Sequence, residues 1–238
     1  MTKAHEGFTA LPAVAEELRG IIREESAGQP GGVVPGTIKL DEAFTSESMM
    51  ASLRQRYPLV HVASHFAFRP GNETDSFLLL GDGNRLTLAQ IKSFPNVFGG
   101  VELLTLSACD TATGGAGANG KEVEGFGVLA QRQGAKAVVA SLWPVVDEST
   151  RLLMQEFYRL RQSQPGVSKA EALRQAQRAL LNGRVSTSDP GAQGRGIHLG
   201  GGREGAPVSG QGRFTHNPQA PYAHPYYWVP FILIGNWR

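Results

Sequence analysis

Residues 101–106 read V-E-L-L-T-L and run straight into S-A-C-D-T, and that junction limits the folds open to this chain. An apolar, β-branched run of this length reads as a buried strand. It delivers Ser107, Cys109 and Thr111 to the point where the chain leaves a sheet. Cys109 is the only cysteine among 238 residues. A single thiol excludes an intrachain disulfide framework and a cysteine-based zinc site, and it fits a reducing compartment, so the expected location is cytoplasmic.

Further strand-like runs lie at 37–40, 59–65, 76–80, 85–88, 137–142 and 226–234. Helical spacing of apolar residues predicts helices at 11–22, 44–56, 87–93, 121–133 and 147–162. Ser168 and Glu171 open another as a capping box, and it runs to residue 181. Gly81-Asp82-Gly83-Asn84 between two of the strands predicts a β-hairpin, because such turns need positive φ. Pro230 confines the last strand to an edge or forces a bulge. Strands alternating with helices, several of the strands continuously apolar, predict an α/β sandwich with a largely parallel sheet. The 30 glycines are unevenly spread. From 183 to about 220 the chain is poor in apolar residues and reads as a long flexible insertion within a single domain, 1–238.

Charge and hydropathy exclude some partners. A formal net charge of +2 does not argue for nucleic acid or a membrane surface. No segment approaches 18 uninterrupted apolar residues, and the N-terminus lacks a signal-peptide core.

Two of the strands end in reactive side chains, His65 and Cys109. In an open parallel sheet, functional residues gather beyond the carboxyl ends of the strands. An imidazole facing the thiol could supply the base or cation that a thiolate needs. The other reading makes Cys109 a small buried hydrophobe and His65 a satisfied polar residue. His61 lies four residues before His65 and on the same face. Its mid-strand place suits a buried, hydrogen-bonded role, so His65 at the exit is the better candidate. Ser64 and Ser107 fall on other pleats and are less suited as nucleophiles.

Gly115-Ala116-Gly117-Ala118-Asn119-Gly120 matches G-x-G-x-x-G, but residues 108–114 separate it from the strand it should follow. No Walker lysine follows, so neither a nucleotide cofactor nor a metal is expected, and the glycines suit a mobile loop over a cleft. Trp143-Pro144-Val145-Val146-Asp147 comes after the third apolar strand. Trp143 and Asp147 are candidate substrate-pocket residues, with Asp147 equally suited to capping the next helix.

Taken together, H-V-A-S-H ending in His65, L-S-A-C-D-T containing Cys109, G-A-K-A-V-V-A-S-L-W-P-V-V-D, and the terminal H-P-Y-Y-W-V-P-F-I-L-I-G resemble the CHAT domain, a caspase- and separase-like family that in bacteria commonly follows tetratricopeptide repeats. The resemblance runs from about residue 11 to the end, excepting the glycine-rich insertion. It implies a caspase-like three-layer α/β/α sandwich and a cysteine endopeptidase acting on a protein substrate, with His65 and Cys109 as the catalytic pair. It also implies control by a tetratricopeptide-repeat or other sensor module, in bacterial defence or regulated cell death. The backbone N–H groups of Cys109 and Phe66 are the expected oxyanion donors. Caspase-like enzymes usually carry glycine where Phe66 stands. A catalytically silent CHAT module serving as an interaction scaffold is the alternative.

Overall fold

The structure is a computed structural model. It describes residues 1–5, 7–24, 31–67, 69, 72–107, 121–143, 145–185 and 217–238, with 121–125 described as backbone. In chain order the elements are α1 (Val14–Ile21), β1 (Ile22–Arg23), β2 (Val34–Pro35), α2 (Ser46–Arg54), β3 (Leu59–Val62), β4 (Phe66–Ala67), β5 (Phe77–Leu79), β6 (Arg85–Thr87) and α3 (Leu88–Ser93). There follow β7 (Leu103–Leu106), α4 (Lys121–Arg132), β8 (Ala137–Ser141), α5 (Asp147–Ser163), α6 (Lys169–Leu181) and β9 (Phe231–Gly235).

The central sheet has the order β3-β7-β8-β9. The first three strands are parallel and β9 closes the sheet antiparallel to β8. Successive residues along each strand serve opposite faces. Leu104, Leu106, Val138 and Ala140 pack with Met49 and Met50 of α2, Ile91 of α3, and Phe126 and Ala130 of α4. Leu103, Val139 and Ala137 pack with Ile21 of α1, Leu153 and Phe157 of α5, and Leu173 and Leu180 of α6. Helices therefore cover both faces, which is why β7 and β8 are apolar almost throughout. Each fully buried side chain of this kind contributes about 1.5–3 kcal/mol. The result is a mixed α/β sandwich with a mostly parallel central sheet, consistent with a caspase-like fold.

Local chemistry sets the element ends. Thr45 caps α2 and exchanges bonds with Ser48, and Thr87 does the same for α3 with Gln90. Ser168 accepts the Glu171 N–H at the start of α6. The predicted hairpin forms, with Leu78 opposite Leu86 and Gly83 at φ +85° in its turn. Gly134 ends α4 at φ +104°, where an added Cβ would lie 2.3 Å from Asn96 Oδ1.

Three predicted strands differ from what forms. Residues 37–40 make no strand; the pairing falls earlier, where Val34 and Pro35 lie beside Ile22 and Arg23. The Val33 and Gly36 N–H groups bond to the Ile21 and Arg23 carbonyls there, so the available partner edge decides the place. The strand expected at 59–65 ends at Val62, because the chain turns to pair residues 66–67 with β5 instead. The terminal strand begins only after Pro230, which has no N–H for the ladder, and a 3-10 turn at Pro225–Tyr227 replaces its first part.

The glycine-rich loop, including 115–120, and residues 186–216 of the expected insertion lie outside the described residues. The two flanks of that insertion meet: a Cβ on Gly183 would lie 2.3 Å from the Gln219 carbonyl oxygen. Among the described residues, no helix is long and apolar enough to cross a membrane.

Candidate active site

β3 and β7 run side by side in register, with Val62 opposite Leu106 and the Ser107 N–H bonded to the Val62 carbonyl at 3.0 Å. His65 and Cys109 each follow three residues after that pair. The sheet thus sends both chain segments off the same carboxyl edge at equal offset, the edge where sites form in open parallel sheets. Cys109 itself lies outside the described residues.

Beyond Val62 the chain is stitched to β5. The Ser64 hydroxyl donates to the Leu79 carbonyl at 2.6 Å, and the Leu79 N–H donates to the His65 carbonyl at 2.9 Å. Both serine and histidine are buried, His65 at 1% exposure. The His65 ring lies against Phe8, centroids 5.2 Å apart, and its Nε2 stands 2.8 Å from the Thr9 carbonyl oxygen. A carbonyl only accepts, so Nε2 carries the proton and Nδ1 holds the lone pair of the neutral ring.

Phe66 resolves its bulk by turning inward. Its side chain is 4% exposed and meets Phe126 of α4 edge-on, centroids 4.9 Å apart. Phe66 lies opposite Leu78 in an antiparallel ladder whose bonded pair is His65 with Leu79. Alternation then points the Phe66 N–H away from β5.

His61 sits mid-strand with its side chain buried and hydrogen-bonded, as its position predicts. Nε2 donates to Glu17 of α1 at 2.7 Å and shares its hydrogen with Ser107 Oγ at 3.1 Å. Nδ1 lies 3.3 Å from the Tyr158 hydroxyl, which bonds Thr105 Oγ1 at 2.8 Å. Serine, imidazole and carboxylate stand together here, but serine and acid both use Nε2. A Ser-His-acid relay needs one ring nitrogen for each, so this cluster is not one. Burial pushes the Tyr158 phenol well above its ordinary range, a shift its bond to Thr105 only partly offsets.

Trp143 and Asp147 take separate settings just past β8. The Trp143 indole N–H donates to the Tyr226 carbonyl at 3.3 Å, and the two rings lie 6.5 Å apart. Asp147 is the first residue of α5 rather than its cap, which is Val146 with no side-chain bond. The Asp147 carboxylate instead accepts the Ala13 N–H at 2.7 Å and so holds the start of α1. Burial raises its pKa, the Ala13 bond opposes that, and Glu17 and Glu148 add to it. Thr9 touches His65 and Ala13 touches Asp147, so one short strap joins the two settings.

Thr9, Glu17, Tyr158 and Thr105 were not apparent as site residues from the sequence. Glu17 left a signal: it interrupts the stripe of Val14, Leu18 and Ile21 on the buried side of α1. A backbone carbonyl such as that of Thr9 leaves none. Among the described residues, no group of three or more His, Cys, Asp or Glu stands together to hold a metal ion.

A mostly parallel sheet flanked by helices on both faces is consistent with the caspase-like class of α/β proteins. A family model, the CHAT domain, matches residues 2–236. The chain belongs to the CHAT domain family. No curated protein matches it.

Proposed function

We propose that the domain is a cysteine endopeptidase in which His65 and Cys109 form the catalytic dyad. The observation that carries this is the β3–β7 register, which starts both residues from one paired position, Val62 and Leu106. The Cys109 thiol gives its proton to His65 Nδ1, the resulting thiolate attacks the scissile carbonyl carbon, and the oxyanion is held by the N–H groups of Phe66 and Cys109. The His65 Nδ1 side then protonates the departing amine, leaving a thioester. Water, giving its proton to Nδ1, attacks the thioester and releases Cys109. The Thr9 carbonyl, bonded to Nε2–H, keeps the ring in the tautomer this needs and stabilises the imidazolium form.

The substrate is a protein chain, met at the carboxyl edge with Trp143 as an apolar wall. Asp147 holds Ala13 through Oδ2, and Oδ1 favours a basic residue before the scissile bond. A lone thiol that must stay reduced suits a cytoplasmic setting. By family analogy, a sensor module such as tetratricopeptide repeats governs the activity in bacterial defence or regulated cell death.

A cysteine-directed activity probe, applied to the wild type, Cys109→Ala and His65→Ala, tests the dyad. Labelling of the wild type far above both variants is expected. Equal labelling of the wild type and His65→Ala removes the enzyme and leaves a module that binds partners without cleaving them.

A further inference from the structure

Every fourth residue from Thr9 meets a site residue. The Thr9 carbonyl holds His65, the Ala13 N–H holds Asp147, and the Glu17 carboxylate holds His61. Glu17 is 1% exposed and lies in an apolar stripe where packing alone calls for leucine. A carboxylate at that depth carries a desolvation cost that its bond to His61 offsets only in good geometry. Buried pairs of this type are weak stabilisers, and their best-attested use is to fix registry.

The connections of His61 suit that use. Its ring joins α1 through Glu17, the end of β7 through Ser107, and α5 through Tyr158. Ser107 is two residues before Cys109, and His61 is four before His65. The network therefore ties both strands of the dyad to the helix whose leading segment supplies the Thr9 carbonyl.

We propose that the Glu17–His61 pair is a positioning site for the dyad: it seats α1 on β3 and β7, and through α1 it sets the Thr9 carbonyl on His65. This rests on the peptidase reading. Glu17 touches no reacting atom and acts through His61 and the strap 9–13.

Cys109 is the only thiol, so the rate of alkylation of the full chain by iodoacetamide reports on it alone. Rates across pH are compared for the wild type, Glu17→Leu, Glu17→Gln, His65→Ala and Leu173→Ala, with thermal unfolding of each. Leu173→Ala, in the α6 core, serves as a control for lost stability. Glu17→Leu is expected to lower the neutral-pH rate about tenfold and to move the profile toward that of His65→Ala, since small misplacements of reacting groups cost this much or more. Glu17→Gln keeps an acceptor for His61 Nε2–H and is expected to retain the wild-type profile. A Glu17→Leu profile equal to the wild type, a Leu173→Ala shift as large as that of Glu17→Leu, or a Glu17→Gln profile no better than Glu17→Leu overturns the proposal. If His65→Ala itself matches the wild type, the peptidase reading fails and takes this one with it; if only Glu17→Leu does, the positioning role alone fails.

Discussion

The backbone carbonyl of Thr9 stands 2.8 Å from Nε2 of His65. A main-chain group, brought across more than fifty residues of sequence, thereby selects which nitrogen of the imidazole carries the proton. Side-chain substitution cannot delete that oxygen, but the packing that aims it can be disturbed. Phe8, beside Thr9 and 9% exposed, lies on the His65 ring and edge-on to Phe77. Phe8→Ala is expected to cost about 3–5 kcal/mol in chemical unfolding. The folded protein should label with the activity probe several-fold more slowly.

Phe66 separates a packing role from a backbone one. Phe66→Gly restores the residue usual in caspase-like enzymes yet empties a buried site against Phe126. A stability loss of at least about 3 kcal/mol is expected by denaturant titration. The N–H at that position survives, so labelling of the protein that remains folded at low temperature should persist.

Asp147 has a raised carboxyl pKa in the folded protein, chiefly through burial. The folded state therefore keeps its proton over a pH window in which the unfolded chain has lost it. Stability contributed by this group falls as pH rises through that window, from the ordinary Asp range up to the raised folded value. Asp147→Asn retains an acceptor for the Ala13 N–H and removes the titration, so its unfolding free energy should vary less with pH across the acid range. Asp147→Ala should instead lose about 1–3 kcal/mol, because the Ala13 N–H is left unpaired. Melting curves at several acid pH values distinguish the three proteins.

Tyr158 is expected to resist ionisation. Its phenol is buried and bonded to Thr105, and burial raises its pKa. The Tyr158 phenol should stay silent in an ultraviolet pH titration until the protein unfolds, and its signal should vanish from the unfolding step in Tyr158→Phe. The substitution should cost roughly 0.5–1.5 kcal/mol.

A peptide library should show preference for lysine or arginine before the cleaved bond, weakened several-fold in Asp147→Asn. A preference for acidic or purely apolar residues at that position would count against the role given to Asp147.

Much of this protein is legible along the chain because its signals are local. The apolar runs at Leu103–Leu106 and Ala137–Ser141, the capping threonine and serine at 45 and 168, and the turn glycines each act within a few residues. Burial on both faces demands continuous apolar strands, so an α/β sheet follows from pattern alone. The pairing of β3 with β7, which ends at Val62 and Leu106, joins two of the apolar runs read from the sequence. Tertiary structure decided the rest. The strand at 34–35 rather than 37–40, the departure of 66–67 toward β5, and the inward turn of Phe66 depend on which partner edge lies nearby. The Thr9 carbonyl and the Glu17–His61 pair are contacts across 56 and 44 residues, made by a backbone atom and by a charge in an apolar stripe. Periodicity records which face of an element is buried, but only the packed fold determines which polar atom meets which.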